Sequence, residues 1–230
     1  MNRVDTAFIL AAGRGERLKP LTDRMPKPLL PYRGKPLLDH ILESLSPLKL
    51  KRVILNAWHL REHIVEYAEE RKGKVPFELK VSTEEELLGT GGGLKKAFPL
   101  IDSRNFLMLN GDCLWKGDIE AFVDRALSAD SLSTWWLTAV HREQTICGVK
   151  NGELVQIGNL WKAKEPEQTG CFTGIQLVQN LDPKKLPDKG DIVRNFWIPQ
   201  LDQRAAVVRA DFQGLTSWTD IGTVERYQSL

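Results

Sequence analysis

The sequence predicts an α/β fold: a single Rossmann-like, doubly wound domain over residues 1–230, with a mixed, mostly parallel sheet. Short apolar runs typical of buried strands alternate with longer segments of helical periodicity, the order that crossover connections between parallel strands produce. The first apolar run leads directly into a glycine-rich turn, and no linker, internal repeat or low-complexity tract follows. A length of 230 residues suits one domain with one core.

In the first half of the chain, predicted strands and amphipathic helices follow each other in turn. Pro36 marks a helix start, because apolar residues recur at helical spacing from Leu37 to Leu45. The strands expected in this half are Thr6–Leu10, Arg52–Asn56, Glu78–Ser82, Phe106–Leu109 and Thr134–Val140. The further helices expected there are Leu60–Glu70, a helix from Thr90–Gly93 to about Pro99, and Ile119–Leu127. The less regular second half indicates a hairpin at Gly148–Ile157 and strands at Phe172–Val178 and Ala205–Ala210.

Composition excludes several functional classes. A formal net charge of +2 creates no strong field for nucleic acid or a membrane surface. The three cysteines, Cys113, Cys147 and Cys171, lack C-x-x-C spacing and indicate reduced thiols, not disulfides or a zinc site. No apolar signal region and no run of 18 apolar residues occurs. We expect a cytoplasmic protein, a monomer or small homo-oligomer, that binds neither nucleic acid nor membranes.

The most informative segment runs from Leu10 to Thr22 and has the sequence LAAGRGERLKPLT. A strand ends there in small residues, whose backbone N–H groups can approach an anion. Basic side chains follow within fourteen positions at Arg14, Arg17, Lys19, Arg24 and Lys27. Such donors suit a triphosphate, although a run of charges is also common in a solvated surface loop. The position at the carboxyl end of a strand, where α/β sheets bind ligands, favours the phosphate interpretation.

Known phosphate motifs do not explain this turn. A dinucleotide fingerprint would need glycine at position 18, which is Leu18, and no G-x-x-x-x-G-K-[ST] sequence occurs.

Lys27 lies between Pro26 and Pro28, which stiffen the backbone and would aim its side chain, whereas the alternative is a solvated loop lysine. Asp112 follows an apolar strand and could hold Mg²⁺ against phosphate oxygens, although Asn-Gly-Asp is equally common as a plain turn.

Several blocks spread over nearly the whole chain resemble the signatures of sugar-1-phosphate nucleotidyltransferases. They are Gly13–Thr22 with Pro26–Leu29, Leu88–Gly93, Leu109–Asp112, Phe172–Ile175 and Trp218–Thr223. Each block alone is weak, but together and in this order they are specific. The resemblance implies a GT-A-like nucleotidyltransferase fold, a nucleoside triphosphate and a sugar 1-phosphate as substrates, release of pyrophosphate, and Mg²⁺ as cofactor.

The resemblance also implies roles for individual residues. The nucleotide-binding group is Ala11, Ala12, Gly13, Arg14, Gly15, Lys27, Glu86 and Gly91. The catalytic group is Arg17, Lys27 and Asp112, with Asp112 and Asp220 as metal ligands. The sugar-phosphate group is Asn110, Thr173 and Gly174. Lys164-Glu165-Pro166 departs from the Glu-Lys-Pro order of other members, so a surface lysine is the safer interpretation of Lys164.

Two of these assignments have plain alternatives. Glu86 is also one more exposed acid in Glu84–Glu86, and Asp220 is also a turn or N-cap residue before a helix near Thr223. The glycines of Leu88–Gly93 would let a flat base lie against the backbone. A carboxylate beside it could accept from the N–H of uracil or from the two adjacent donors of guanine, so the base stays open.

The short chain is most similar to N-acetylmuramate-1-phosphate uridylyltransferases. Guanylyltransferases for mannose or heptose 1-phosphate and cytidylyltransferases for choline phosphate are alternatives within the same reaction class. An inactive nucleotide-sugar-binding module usually lacks a basic phosphate-loop residue or a metal carboxylate, and both kinds are present in this chain. His59–His63 fits H-x-x-E-H, a zinc-peptidase motif, but Arg61 lies beside the site and no third ligand is identifiable.

Overall fold

The described residues of the computed structural model, 4–139 and 145–229, contain fourteen strands. In chain order they are β1 Thr6–Leu10, β2 Pro31–Tyr32, β3 Lys35–Pro36, β4 Arg52–Ala57, β5 Glu78–Thr83, β6 Asn105–Asn110, β7 Cys113–Gly117, β8 Ser133–Thr138, β9 Ile146–Lys150, β10 Glu153–Ile157, β11 Trp161–Lys162, β12 Gln168–Gln179, β13 Val208–Asp211 and β14 Leu215–Asp220. Most of them form one large mixed sheet, while β2 pairs with β3 and β7 pairs with β14 separately.

Helices flank this sheet. The α-helices are α1 Leu37–Ser44, α2 Arg61–Arg71, α3 Gly89–Ala97, α4 Ile119–Ser128, α5 Ile198–Asp202 and α6 Val224–Gln228. Short 3₁₀ turns occur at Glu16–Leu18, Leu21–Asp23, Lys27–Leu29, Ser46–Leu48, Phe98–Leu100 and Pro183–Lys185, and a π-helical turn at Val193–Trp197. None of the described helices has the length and apolar content needed to cross a membrane.

The strand order of the large sheet is β11-β10-β13-β8-β12-β6-β1-β4-β5, and β9 pairs with both β10 and β12. The strands β6, β1, β4 and β5 are parallel neighbours. The expected α/β architecture and mixed sheet are therefore confirmed. The antiparallel part is larger than a mostly parallel sheet implies, because β12 is antiparallel to β6, β8 and β9. Antiparallel neighbours need no crossover helix, which explains the irregular second half of the sequence.

Alternate residues of the central strands pack on opposite faces of the sheet. On β1, Ile9 belongs to the cluster that includes α1, α2 and α4, whereas Phe8 belongs to the cluster that includes α3 and the Val193–Trp197 turn. The adjacent Trp135 and Trp136 separate in the same way. Because helices cover both faces of the sheet, a ligand can reach it only at the ends of its strands.

The sequence located most of the longer elements to within a few residues, but it did not predict β2, β3, β11 or α5. It contained no signal for β7 and β14, which pair over a separation of about a hundred residues. The strand expected at Ala205–Ala210 begins instead at Val208. The strand expected to extend to Val140 ends at Thr138, and Val140 itself lies outside the described residues.

A partly buried polar contact joins α1 to α2 beside the sheet. Asp39 accepts hydrogen bonds from the Tyr67 hydroxyl at 2.5 Å and from Arg71 Nε and Nη2 at 3.0 and 2.8 Å. Burial acts to raise the pKa of Asp39, but the hydrogen bonds from Arg71 and Tyr67 outweigh it and hold that pKa below its ordinary value of 3.8. Ionised Asp39 therefore stabilises the folded chain.

We expect Asp39→Asn to lower the free energy of unfolding by about 1–2 kcal/mol at neutral pH, because a charged acceptor of three hydrogen bonds is lost. The stabilisation is complete above the ordinary carboxyl pKa and is lost as pH falls through the lower folded-state value. Urea unfolding at several pH values measures the difference, with exposed Glu66→Gln on α2 as control. A difference that does not shrink in acid would contradict this account.

Candidate active site

A cavity of about 490 Å³ opens at the carboxyl ends of β1, β4 and β6. Its lining comes from the segment after β1, from the ends of β4 and β6, and from the start of α3. The lining residues are Leu10, Ala11, Ala12, Gly13, Gly15, Glu16, Arg17, Lys27, Pro28, Asn56, Leu87, Gly89, Thr90, Asn110, Gly111, Asp112 and Gly222. The cavity thus lies where parallel strands end and where α/β proteins bind ligands.

A small apolar cluster holds two parts of this site together. Leu18, in the turn after the glycine-rich segment, and Ile221, directly after β14, are both fully buried and pack with Leu30 and Leu37. Their chain neighbours Arg17 and Asp220 are therefore near one another. An added Cβ at Gly222 would lie 3.0 Å from Arg17 Nη2 and 3.0 Å from the carboxylate oxygens of Asp220, which shows how close these groups are.

The pairing of β7 with β14 brings together two aspartates that are far apart in the chain. Cys113 is the register partner of Asp220, and the Ile221 N–H donates to the Asp112 carbonyl at 3.0 Å. One ligand atom each from Asp112, Cys113 and Asp220 lies within 4.8 Å of the others, the one such metal-capable cluster in the described part of the chain. Asp112 and Asp220, predicted as joint metal ligands, are therefore adjacent in space.

Positive side chains surround the two carboxylates. Lys27 Nζ forms an ion pair with Asp112 and is mostly buried, with 12% of its side chain exposed. Arg226 donates to Asp220 at 2.8 Å. Burial raises the pKa of the Cys113 thiol well above its ordinary value, and the carboxylates of Asp112 and Asp220 raise it further. Two carboxylates beside a protonated thiol suit a hard divalent cation such as Mg²⁺, which prefers oxygen ligands.

Glu86 and Gly91, the residues predicted to contact the base, lie outside the cavity lining. Glu86 is exposed and pairs with Lys189 at 2.5 Å, and Gly91 donates from its N–H to the Gly190 carbonyl at 2.9 Å. Neither lines the cavity, which this segment borders through Leu87, Gly89 and Thr90. Base contacts by Glu86 and Gly91 stay predictions without support from this arrangement.

The glycine cluster has a packing reason that the sequence did not reveal. Residues 186–192, which we term the strap, cross over the start of α3. Gly190 N–H donates to the Leu88 carbonyl at 2.7 Å, and Lys95 Nζ to the Leu186 carbonyl at 2.9 Å. A Cβ at Gly92 would lie 2.4 Å from the carbonyl oxygen of Asp188. Gly89, Gly91 and Gly92 therefore make room for the strap, a packing role that stands beside the predicted base contact.

The predicted sugar-phosphate residues divide into one cavity residue and two supporting ones. Asn110 lines the cavity. Thr173 is fully buried and donates to the Trp136 carbonyl at 2.7 Å, so its hydroxyl is already engaged within the sheet. A Cβ at Gly174 would lie 2.7 Å from the Asn110 side chain, so the glycine makes room for it. Sugar contacts by Thr173 and Gly174 stay predictions.

Three further sequence interpretations can be placed. Arg14 does not line the cavity; its guanidinium lies 4.9 Å from the centre of the Trp58 ring. Lys164 is exposed, which agrees with a surface lysine. The zinc-peptidase alternative finds no support, because His59 precedes α2 and its Nε2 lies 2.7 Å from the Thr22 carbonyl oxygen. His59 and His63 do not share a helical face.

Known proteins resemble this chain in sequence and structure. It is 30% identical over 224 residues to the bifunctional protein GlmU of Methanococcus maripaludis, covering 94% of this chain and 51% of that protein. It is 40% identical over 127 residues to the N-acetylmuramate alpha-1-phosphate uridylyltransferase of Neisseria meningitidis, covering 53% of each. The chain thus spans about half the length of these curated relatives. A crystal structure of HddC from Yersinia pseudotuberculosis with GMP-PN has 25% identity and a TM-score of 0.78, covering 98% of this chain and 97% of the other.

The family model for nucleotidyl transferases matches residues 6–161, which is more than half of the chain. These residues contain the whole cavity lining except Gly222, and Asp112, one of the two neighbouring aspartates. The chain therefore belongs to the nucleotidyl transferase family.

Proposed function

We propose that this protein is a cytoplasmic, magnesium-dependent enzyme of nucleotide-sugar biosynthesis. It transfers a nucleotidyl group from a nucleoside triphosphate to a sugar 1-phosphate and releases pyrophosphate. The observation that supports this most is the pair Asp112 and Asp220 beside Lys27 and Arg17 at a cavity of about 490 Å³. Its relatives include proteins named for uridylyl and guanylyl transfer to sugar 1-phosphates.

Each group at the cavity has a task in this reaction. The backbone of Ala11–Gly15 and the Arg17 guanidinium bind the polyphosphate, and Lys27 neutralises charge that develops on the α-phosphate. Asp112 and Asp220 hold Mg²⁺, which when bound neutralises phosphate oxygens. Asn110 binds on the sugar-phosphate side. The attacking phosphate oxygen is ionised at neutral pH, so in-line positioning by these residues suffices and no general base is required.

Among substrates, we propose UTP with N-acetylmuramate 1-phosphate or a similar sugar. The support is the 40% identity with the uridylyltransferase of Neisseria meningitidis. Two observations favour a second candidate, a guanylyltransferase for mannose or heptose 1-phosphate. HddC was crystallised with GMP-PN, and a D-glycero-alpha-D-manno-heptose 1-phosphate guanylyltransferase of Aneurinibacillus thermoaerophilus is 35% identical over 122 residues.

We expect Asp112→Asn to lower kcat by at least about 100-fold while the protein stays folded, because the amide removes an anionic ligand that a hard cation needs. Pyrophosphate release at saturating Mg²⁺ measures the effect, and circular dichroism confirms folding. Asp102→Asn, at an exposed position outside the cavity lining, is the matched control and should retain full activity. Near wild-type turnover by Asp112→Asn would refute the metal assignment.

A matrix of UTP, GTP, CTP and dTTP against several sugar 1-phosphates and choline phosphate tests the substrates. We expect the highest kcat/KM with UTP and N-acetylmuramate 1-phosphate. A maximum with GTP and a mannose or heptose 1-phosphate would establish the second candidate, and one with CTP and choline phosphate would replace both. Nucleotide binding without turnover in every combination would identify an inactive binding module.

A further inference from the structure

A buried carboxylate lies between the two walls of the cavity. Glu84, directly after β5, is fully buried although it belongs to a run of three acids. Its Oε1 accepts from the Asn56 side-chain amide at 2.7 Å, and its Oε2 accepts from the Leu88 N–H at 3.0 Å. Both oxygens therefore have partners, one on β4 and one just before α3. A buried acid is costly unless it is bonded in this way.

Asn56 continues this connection to the other wall. It is 2% exposed, lines the cavity, and accepts from the Ala11 N–H at 2.7 Å through its Oδ1. The orientation of the amide follows from its neighbours, because the Ala11 N–H can only donate and the Glu84 carboxylate can only accept. A continuous chain of hydrogen bonds thus runs from Leu88 through Glu84 and Asn56 to Ala11.

Close packing leaves this chain of bonds little freedom. A Cβ at Gly93 would lie 2.7 Å from Asn56 Nδ2 and 2.7 Å from Glu84 Oε1, so α3 presses directly on the pair. Arg61 Nη1 donates to the Glu84 carbonyl at 3.2 Å and holds the backbone of the acid as well. One end of the chain of bonds, Ala11, lines the cavity on the phosphate side. The other end, Leu88, immediately precedes a residue that lines the opposite wall.

We propose that Glu84 and Asn56 are positioning residues for the nucleotide, setting the distance between the phosphate-binding backbone at Ala11 and the opposite wall at Leu88–Thr90. The inference rests on the proposed function, since that function places a nucleotide in this cavity. Glu84 acts through Asn56 and Leu88 and touches no substrate. In this proposal the buried acid of the Glu84–Glu86 run positions the backbone on both sides of the nucleotide.

The hydrogen bonds suggest a test in which the acid and the amide trade places between positions 84 and 56. This exchange keeps the size of both side chains and changes only which groups donate and accept. In Glu84→Gln, the new NH₂ group can face the Leu88 N–H, and the bond to Leu88 is then lost. If it faces Asn56 instead, the Asn56 amide must turn round to accept from it, and the bond from the Ala11 N–H is lost. In Asn56→Asp, two carboxylates face each other. The double variant Asn56→Asp with Glu84→Gln restores every bond. The carboxylate introduced at position 56 accepts from the Ala11 N–H and from the amide introduced at position 84, and the oxygen of that amide accepts from the Leu88 N–H.

We expect Glu84→Gln and Asn56→Asp each to raise the KM for the nucleoside triphosphate about tenfold, the scale of one lost hydrogen bond to a charged group. The KM for the sugar 1-phosphate should change by less than about twofold, because neither bond reaches Asn110. The double variant should recover most of the loss. Exposed Glu66→Gln, outside the cavity lining, is the control and should behave as wild type.

Thermal melting of each variant separates positioning from folding. If Glu84→Gln only lowers Tm and leaves the KM for the triphosphate unchanged, or if the exchange fails to restore it, the positioning role is refuted. Affinity for a non-hydrolysable triphosphate with Mg²⁺ tests the same residues without turnover. Equal affinities of wild type and Glu84→Gln refute the inference, whereas absence of pyrophosphate release by wild type with every substrate pair refutes the proposed function instead.

Discussion

The antiparallel pairing of β7 with β14 is the constraint on which the proposed site depends. Neither Asp112 nor Asp220 lies within a buried strand of the large sheet; each stands at one end of this separate two-stranded ribbon. Backbone hydrogen bonds across the ribbon hold the two carboxylates within reach of one ion, and the apolar contacts of Leu18 and Ile221 bring Arg17 to the same place. Repulsion between two close acids is offset by Lys27 and Arg226.

The parts of the fold that could be predicted are those whose signal is local. Thr6–Leu10 is a strand because five consecutive residues prefer burial, and Leu37–Ser44 is a helix because its apolar residues recur on one face. The phosphate-binding interpretation of Ala11–Gly15 likewise needs only neighbours in sequence. The ribbon could not be predicted, because β14 is half exposed and pairs with β7 across a separation that local patterns do not reach. Asp220 is identified in the sequence only through the family resemblance.

The Glu84–Glu86 run shows that neighbouring residues of the same type can differ in burial. Local sequence treats the three acids alike, yet Glu84 is enclosed by α3 while Glu86 reaches solvent and Lys189. The difference comes from contacts with Asn56 and with the strap, which are remote in the chain. Most glycines of α3 have the same origin. The small size of Gly89, Gly91 and Gly92 is required by neighbours about a hundred residues later, which no local pattern reveals.

The order of the chain also has a consequence for biosynthesis. The ribosome delivers the phosphate-binding segment and Asp112 first, whereas the strap follows after about seventy further residues and β14 after about a hundred. Until then the nascent chain holds a single acid of the pair, and the glycine face of α3 has no cover. Contacts between segments so distant in sequence form slowly, and apolar surface stays exposed until they have formed. The side-by-side arrangement of Asp112 and Asp220 can therefore form only after β14 has been made and has paired with β7.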